Sequence, residues 1–181
     1  MSDTPDRFDV LAELGALRRY AGSLSRGGEE AEDLVHDTLV RAYERRATFR
    51  HDRNLRVWLM SILHNCFIDR LRRRRGETAG ATRVAEVSET AAPAAQEHSV
   101  RLAEVREAFL ALPDDQRAAL HLVAIEGLTY AEAAASLGVP VGTVMSRLAR
   151  ARAALRAVED GTPLSGPAPR LRIVGGNDEP H

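Results

Sequence analysis

Residues 128–156 read LTYAEAAASLGVPVGTVMSRLARARAALR, and their spacing decides the fold. Thr129 opens a Ser/Thr-x-x-Glu box with Glu132 three residues on, which predicts a helix over 130–137. The hydroxyl and the carboxylate each satisfy a backbone N–H that a helix start leaves without an intrahelical partner. Gly138 follows the last apolar position, and Gly138-Val139-Pro140 makes a tight turn into a second helix, predicted over 141–156. Small side chains at Ala133, Ala134 and Ala135 let the two helices cross closely. This is a helix-turn-helix pattern. In its second helix Val141, Val144, Leu148, Ala151 and Leu155 recur at intervals of three and four and form the expected buried stripe. Thr143, Ser146, Arg147 and Arg150 are left on the exposed face, with hydroxyl and guanidinium chemistry suited to phosphates and base edges.

Two further helices are expected just upstream, near 101–111 and 114–126, with Asp114 after Pro113 as a cap. Before them, 76–99 (GETAGATRVAEVSETAAPAAQEHS) lacks aromatics and sustained periodicity and reads as a flexible linker. The tail from Asp160 is rich in Pro and Gly and reads as mostly disordered, its RLRIV stretch solvated.

The N-terminal half is a second helical unit. Residues 8–24 place Phe8, Leu11, Leu14, Leu17 and Ala21 on one face. The stretch EEAEDLVHDTLVRAYERR (29–46) places Ala31, Leu34, Val35, Leu39, Ala42 and Tyr43 on one side, with Glu32, Asp33, His36, Asp37, Arg41 and Glu44 opposite. A third helix starts near Asn54, a suitable N-cap. Leu55, Trp58, Leu59, Ile62, Cys66 and Phe67 are expected inside, and Ser61, Asn65, Asp69, Arg72 and Arg73 outside.

Composition agrees with an all-α reading: the chain has 181 residues, only 4% aromatic, with Ala and Leu dominant. Its formal net charge is −1, but the charge is segregated. Residues 1–40 carry nine acids and four arginines, 41–75 eleven arginines and three acids, and 140–156 four arginines and no acid. Such segregation predicts one acidic and two basic surfaces, the footprint of a polyanion partner. The chain has no lysine, which is read as a coding-composition effect. No apolar run approaches a membrane span, and the start MSDTPDRFDV is polar and unlike a signal peptide. The single Cys66 excludes an internal disulfide framework and fits a reducing cytoplasm. It lies on an apolar stripe and is expected to be a packed thiol, while His64 points elsewhere, so no metal site is expected there. No glycine-rich phosphate loop, nucleophile elbow or HExxH is present, and no catalytic residue or cofactor is expected.

Taken together, AEDLVHDTLVRAYER, then FRHDRNLRVWLMSILHNCFIDRLRRR, then a linker, then LPDDQRAALHLVAIEGLTYAEAAASLGVPVGTVMSRLARARAALR resembles a bacterial RNA polymerase sigma factor. It is similar to the small extracytoplasmic-function group of the sigma-70 family, which keeps only the second and fourth sigma domains. The resemblance implies two helical domains, 8–75 and 100–158, with 76–99 between them and a tail over 159–181. It implies that the helix over 31–44 docks on the β′ clamp helices of core polymerase, which the chain also meets through the β subunit. Glu32, Asp33, His36, Asp37 and Arg41 are the contact set, and His36 stands where the family usually has Gln. It implies that Phe49, Arg50, Asn54, Ser61, Asn65, Arg72 and Arg73 serve the −10 element as melted non-template strand. Thr143, Ser146, Arg147 and Arg150 serve the −35 element as duplex, with Met145 where the family commonly has Arg or Lys. An anti-sigma factor is the implied inhibitor. The alternative is an autonomous helix-turn-helix regulator, which has no need of an acidic helix beside a single-strand surface. The linker is long enough: promoter elements one and a half turns apart lie roughly 50 Å apart, and 24 residues extend to roughly 80 Å.

Overall fold

The computed structural model describes residues 8–25, 27–50, 52–78 and 97–159. Within these the regular structure is helical: α1 Leu14–Leu24, α2 Gly28–Glu44, α3 Leu55–Thr78, α4 Glu97–Ala111, α5 Asp114–Leu120, α6 Tyr130–Leu137 and α7 Val141–Glu159. A 3₁₀ turn over Arg46–Thr48 precedes α3, and a π turn over His121–Ile125 extends α5. The expected linker and C-terminal tail lie largely outside the described residues; α3 runs through Thr78 and α4 starts at Glu97.

The first three helices form one unit. α1 buries Leu17, Tyr20, Ala21 and Leu24, a stripe at intervals of three and four. It begins at Leu14 rather than Phe8, and Leu11, expected inside, is exposed. α2 buries Ala31, Leu34, Val35, Thr38 and Ala42. Thr38 is tolerated there because its hydroxyl donates to the Leu34 carbonyl at 2.7 Å. Tyr43, assigned to the inner face, is instead exposed and stacks under the Arg46 guanidinium at 4.1 Å. Asn54 caps α3 as expected, its Oδ1 accepting from Arg56 N at 3.0 Å.

α3 differs most from its expected single inner face. Leu59, Met60, Ile62, Leu63, His64, Cys66 and Phe67 are all buried, wrapping more than one side of the helix. The reason is tertiary: α1 and α2 pack on one side of α3, while α6 packs on another. A helix sandwiched in this way buries positions that a single amphipathic stripe would leave wet. Cys66 is a free, buried thiol, as its spacing predicted.

In the second unit α7 packs on α4, α5 and α6. Val144, Leu148 and Ala151 are buried, but Val141 at the start of α7 is exposed. The Thr129–Glu132 capping box is complete: Glu132 N donates to Thr129 Oγ1 at 3.2 Å, and Thr129 N to Glu132 Oε2 at 2.9 Å. The Thr129 N–H and hydroxyl, both donating to it, hold the Glu132 carboxyl below its usual range. Gly138 takes the left-handed conformation, φ 64°, that the turn needs. Asp114 does not cap α5. It receives the buried Arg117 guanidinium, whose other nitrogen donates at 2.7 Å to the Leu110 and Leu112 carbonyls at the end of α4. The expected continuous helix over 114–126 also breaks. The π turn, with Glu126 N donating to His121 O and Gly127 at φ 70°, swings Glu126 inward.

Candidate nucleic-acid interface

Three surfaces carry the residues singled out from the sequence. The first surrounds the start of α3. Phe8, Phe49 and Trp58 form an aromatic cluster with ring centroids 5.2 to 5.9 Å apart. Phe49 is buried and Trp58 half-buried, so Trp58 is less a core residue than the sequence suggested. The cluster supports the floor of a groove of about 530 Å³ lined by Phe49, Arg50, Asn54, Trp58 and Ser61. Its opposite wall is α6, through Ala131, Glu132 and Ala135. Ser61 therefore faces α6, not open solvent, and its hydroxyl donates to the Trp58 carbonyl at 2.7 Å. Arg50 forks onto Asp52 at 3.2 and 2.9 Å, a surface pair that depresses the Asp52 carboxyl. Pairs this exposed are worth little, so a phosphate can replace Asp52 readily.

The second surface continues along α3. Asn65, Arg72 and Arg73 are exposed. Asn65 and Arg72 line a further groove of about 830 Å³ together with Arg75, and Arg147 reaches it from α7. Of the predicted duplex readers, Arg150 is exposed and Thr143 half-buried, while Ser146 donates to the Thr143 carbonyl at 2.9 Å. Arg147 is not on the open face: it is four-fifths covered and its Nε lies 3.1 Å from Asp115 of α5. Met145 stands exposed beside these positions.

The third surface is α2. Asp33 and His36 are exposed, and Glu32 pairs with Arg18 on an open surface at 3.1 Å. The remaining two of the five predicted contacts serve a different end. Asp37 receives Arg70 at 2.6 Å and Arg41 donates to Asp69 at 2.9 Å, so both staple α2 to α3. Arg74 adds a third tie to Glu30.

Sequence reasoning missed a buried polar seam between the two units. The Tyr20 hydroxyl lies 3.1 Å from His64 Nδ1, and the Tyr20 ring packs on His121 at 5.1 Å. Burial, aided by the Arg147 charge, pushes His64 down to about 4, and burial pushes His121 down to about 4 against the pull of Glu126. Both imidazoles are therefore neutral near pH 7. His121 Nε2–H then donates to Glu126 at 3.3 Å and leaves Nδ1, an acceptor with no partner. Protonating that nitrogen would bury a donor with nothing to receive it. Burial likewise raises the Tyr20 and Cys66 pKa values. No local motif marks Tyr20 or His64, because their partners lie in other helices.

Two family models match the chain: Sigma-70 region 2 over residues 10–77 and Sigma-70 region 4 over residues 102–155. The chain is 40% identical over 174 residues to the ECF RNA polymerase sigma factor EcfG of Rhodopseudomonas palustris, covering 94% of this chain and 96% of that one. Its fold resembles the sigma factor RpoE of Bartonella quintana, solved with the anti-sigma factor NepR, at TM-score 0.72 and 37% identity, over 83% of this chain and 94% of that one. It also resembles CnrH, solved with the cytosolic domain of CnrY, at TM-score 0.61 and 32% identity over 84% and 85% of the two chains.

Proposed function

Since the chain belongs to the ECF sigma factors of RNA polymerase, we propose that it directs core polymerase to a subset of promoters through the residues described above. In this reading α2 presents Asp33 and His36, with Glu32, to basic groups on the β′ clamp helices. Asp37 and Arg41 contribute by holding α2 in place. The groove before α3, with Phe49, Arg50 and Asn54, and the α3 positions Ser61, Asn65, Arg72 and Arg73 take the melted −10 strand. An unstacked base can there stack and offer its edge to the Asn65 amide. Arg150, with Thr143, Ser146 and Arg147, reads the −35 duplex, where a guanidinium fits guanine bidentately. Residues 8–75 and 100–158 act as separate promoter-reading domains joined by 76–99. The protein works in the cytoplasm, at the nucleoid when bound to polymerase, and supplies no covalent chemistry of its own.

The observation that carries this reading is the joint presence of both sigma regions in order, with exposed asparagine and arginine on the helices that match them. Because the sigma factor RpoE of Bartonella quintana was solved with the anti-sigma factor NepR, an anti-sigma factor is the expected inhibitor here too. The test reconstitutes core polymerase with the purified chain and probes promoter melting with permanganate. Asn65→Ala is expected to lower melting and relax −10 preference with no loss of thermal stability. Unchanged melting and preference would remove this face of α3 from the reading.

A further inference from the structure

The contacts between the two halves of the molecule converge on one carboxylate. The Glu126 side chain is fully buried, yet it belongs to the second half and both of its arginine partners come from the first. Arg19 of α1 forks onto it, Nε to Oε1 at 3.0 Å and Nη2 to Oε2 at 2.9 Å. Arg56 of α3 reaches it at 3.8 Å and is itself held by Glu13 at 2.7 Å. Around this centre the Tyr20 ring packs on His121, Ser136 Oγ donates to the Val57 carbonyl at 3.2 Å, and Asn54 Nδ2 lies 3.5 Å from Glu132. The π turn that breaks α5 is what aims Glu126 into the seam.

A carboxylate removed from water must be paired, and here the pairing exists only while the halves are together. When they part, water returns to Glu126 and to both arginines, so separation leaves no stranded charge. Such a contact is reversible, which suits a switch better than a permanent staple. It also has a consequence for the surfaces described above. Closed, α6 lies across Asn54 and Ser61, and Arg147 is drawn over the groove of Asn65 and Arg72. Helices packed against each other have axes about 8–10 Å apart, whereas two promoter elements one and a half turns apart are separated by roughly 50 Å.

We propose that Glu126, with Arg19 and Arg56, is an intrachain latch that holds the free protein closed and covers its −10-reading surface until polymerase draws the halves apart. The covered surface is the one assigned under the proposed function; the latch itself rests only on the packing. Arg19 is half-exposed and its ion pair is with Glu126, so Arg19→Gln removes the pair without taking an apolar side chain from the core. Glu126→Gln keeps the side-chain shape and removes the charge. Small-angle scattering of the full chain should show wild type compact and both variants expanded, with unchanged helical content by circular dichroism. The affinity of the free chain for a −10 non-template oligonucleotide should rise at least threefold in both, because the competent fraction sets the apparent constant. Transcription by the assembled holoenzyme should not change. Expansion with no gain in oligonucleotide affinity would support the latch and remove the −10 assignment. Two folded variants that scatter like wild type would overturn the latch.

Discussion

Tyr20→Phe removes one oxygen from a side chain with no solvent exposure, and the consequence can be worked from its surroundings. With His64 neutral, the Tyr20 hydroxyl donates to His64 Nδ1 across 3.1 Å, in a site where Tyr20 is fully buried and His64 nearly so. The phenyl ring of the variant fills nearly the same volume and keeps its packing on His121, so no substantial cavity term arises. What is lost is the net worth of the hydrogen bond, about 0.5–1.5 kcal/mol, with a share of the cost of leaving a buried acceptor unsatisfied. A total of about 1–2 kcal/mol is expected. For a protein of this size that lowers the melting temperature by about 2–8 °C. Urea unfolding should show a lower midpoint at unchanged slope. A second readout separates this account from general loosening. The hydroxyl favours neutral His64, so its removal should raise the His64 pKa from about 4 towards the ordinary histidine value, as followed by NMR. A variant with wild-type midpoint and wild-type His64 titration would refute the reasoning.

Four other outcomes are expected. His64, facing Tyr20 and Arg147, and His121, facing Glu126 and Arg19, are both held near 4. A folded pKa depressed below the unfolded value near 6.5 means that stability is full above about pH 6.5 and falls as the pH drops towards 4. The loss is up to about 3 kcal/mol per histidine, and a His64→Gln/His121→Gln protein should show a flatter urea-midpoint profile between pH 7 and 4.5. Asp33→Arg should weaken core-polymerase binding at unchanged melting temperature, chiefly through slower association; Asp37→Arg should also lower the melting temperature, because it opposes Arg70. Arg150→Ala should cost about 1–3 kcal/mol at one −35 base pair and relax preference there, or weaken all promoters alike if Arg150 meets a phosphate, which a −35 variant panel read at two salt concentrations distinguishes. Thr129→Ala removes the hydroxyl that accepts from Glu132 N, while the Thr129 N–H can still donate to the Glu132 carboxylate, and should cost about 1 kcal/mol by urea unfolding.

The features legible in the chain are those written within a turn or two of helix. The Thr129–Glu132 box, the Gly138 turn and the Asn54 cap are local exchanges of hydrogen bonds, and each formed as read. Cys66 was placed inside by its spacing from Ile62, and it is buried. Periodicity went wrong at the ends of stripes. Leu11, Tyr43 and Val141 continue apolar patterns past the point where a neighbouring helix covers them, and all three are exposed. Periodicity alone does not say how far the partner extends.

What tertiary structure alone decided is which polar groups are still available. Asp37 and Arg41 look equivalent to Asp33 on a helical wheel, but α3 brings Arg70 and Asp69 against them. Arg147 shares a face with Arg150 in the sequence, and Asp115 of α5 takes it. Nothing near Glu126 in the chain marks it, because its bidentate partner Arg19 lies 107 positions away. The sequence by itself determined most of the helices, the Asn54 and Thr129 caps and the family resemblance, since these follow from interactions between residues a few positions apart. Closure of one half on the other, and with it the burial of His64, His121 and Glu126, depends on surfaces that exist only once every helix has packed.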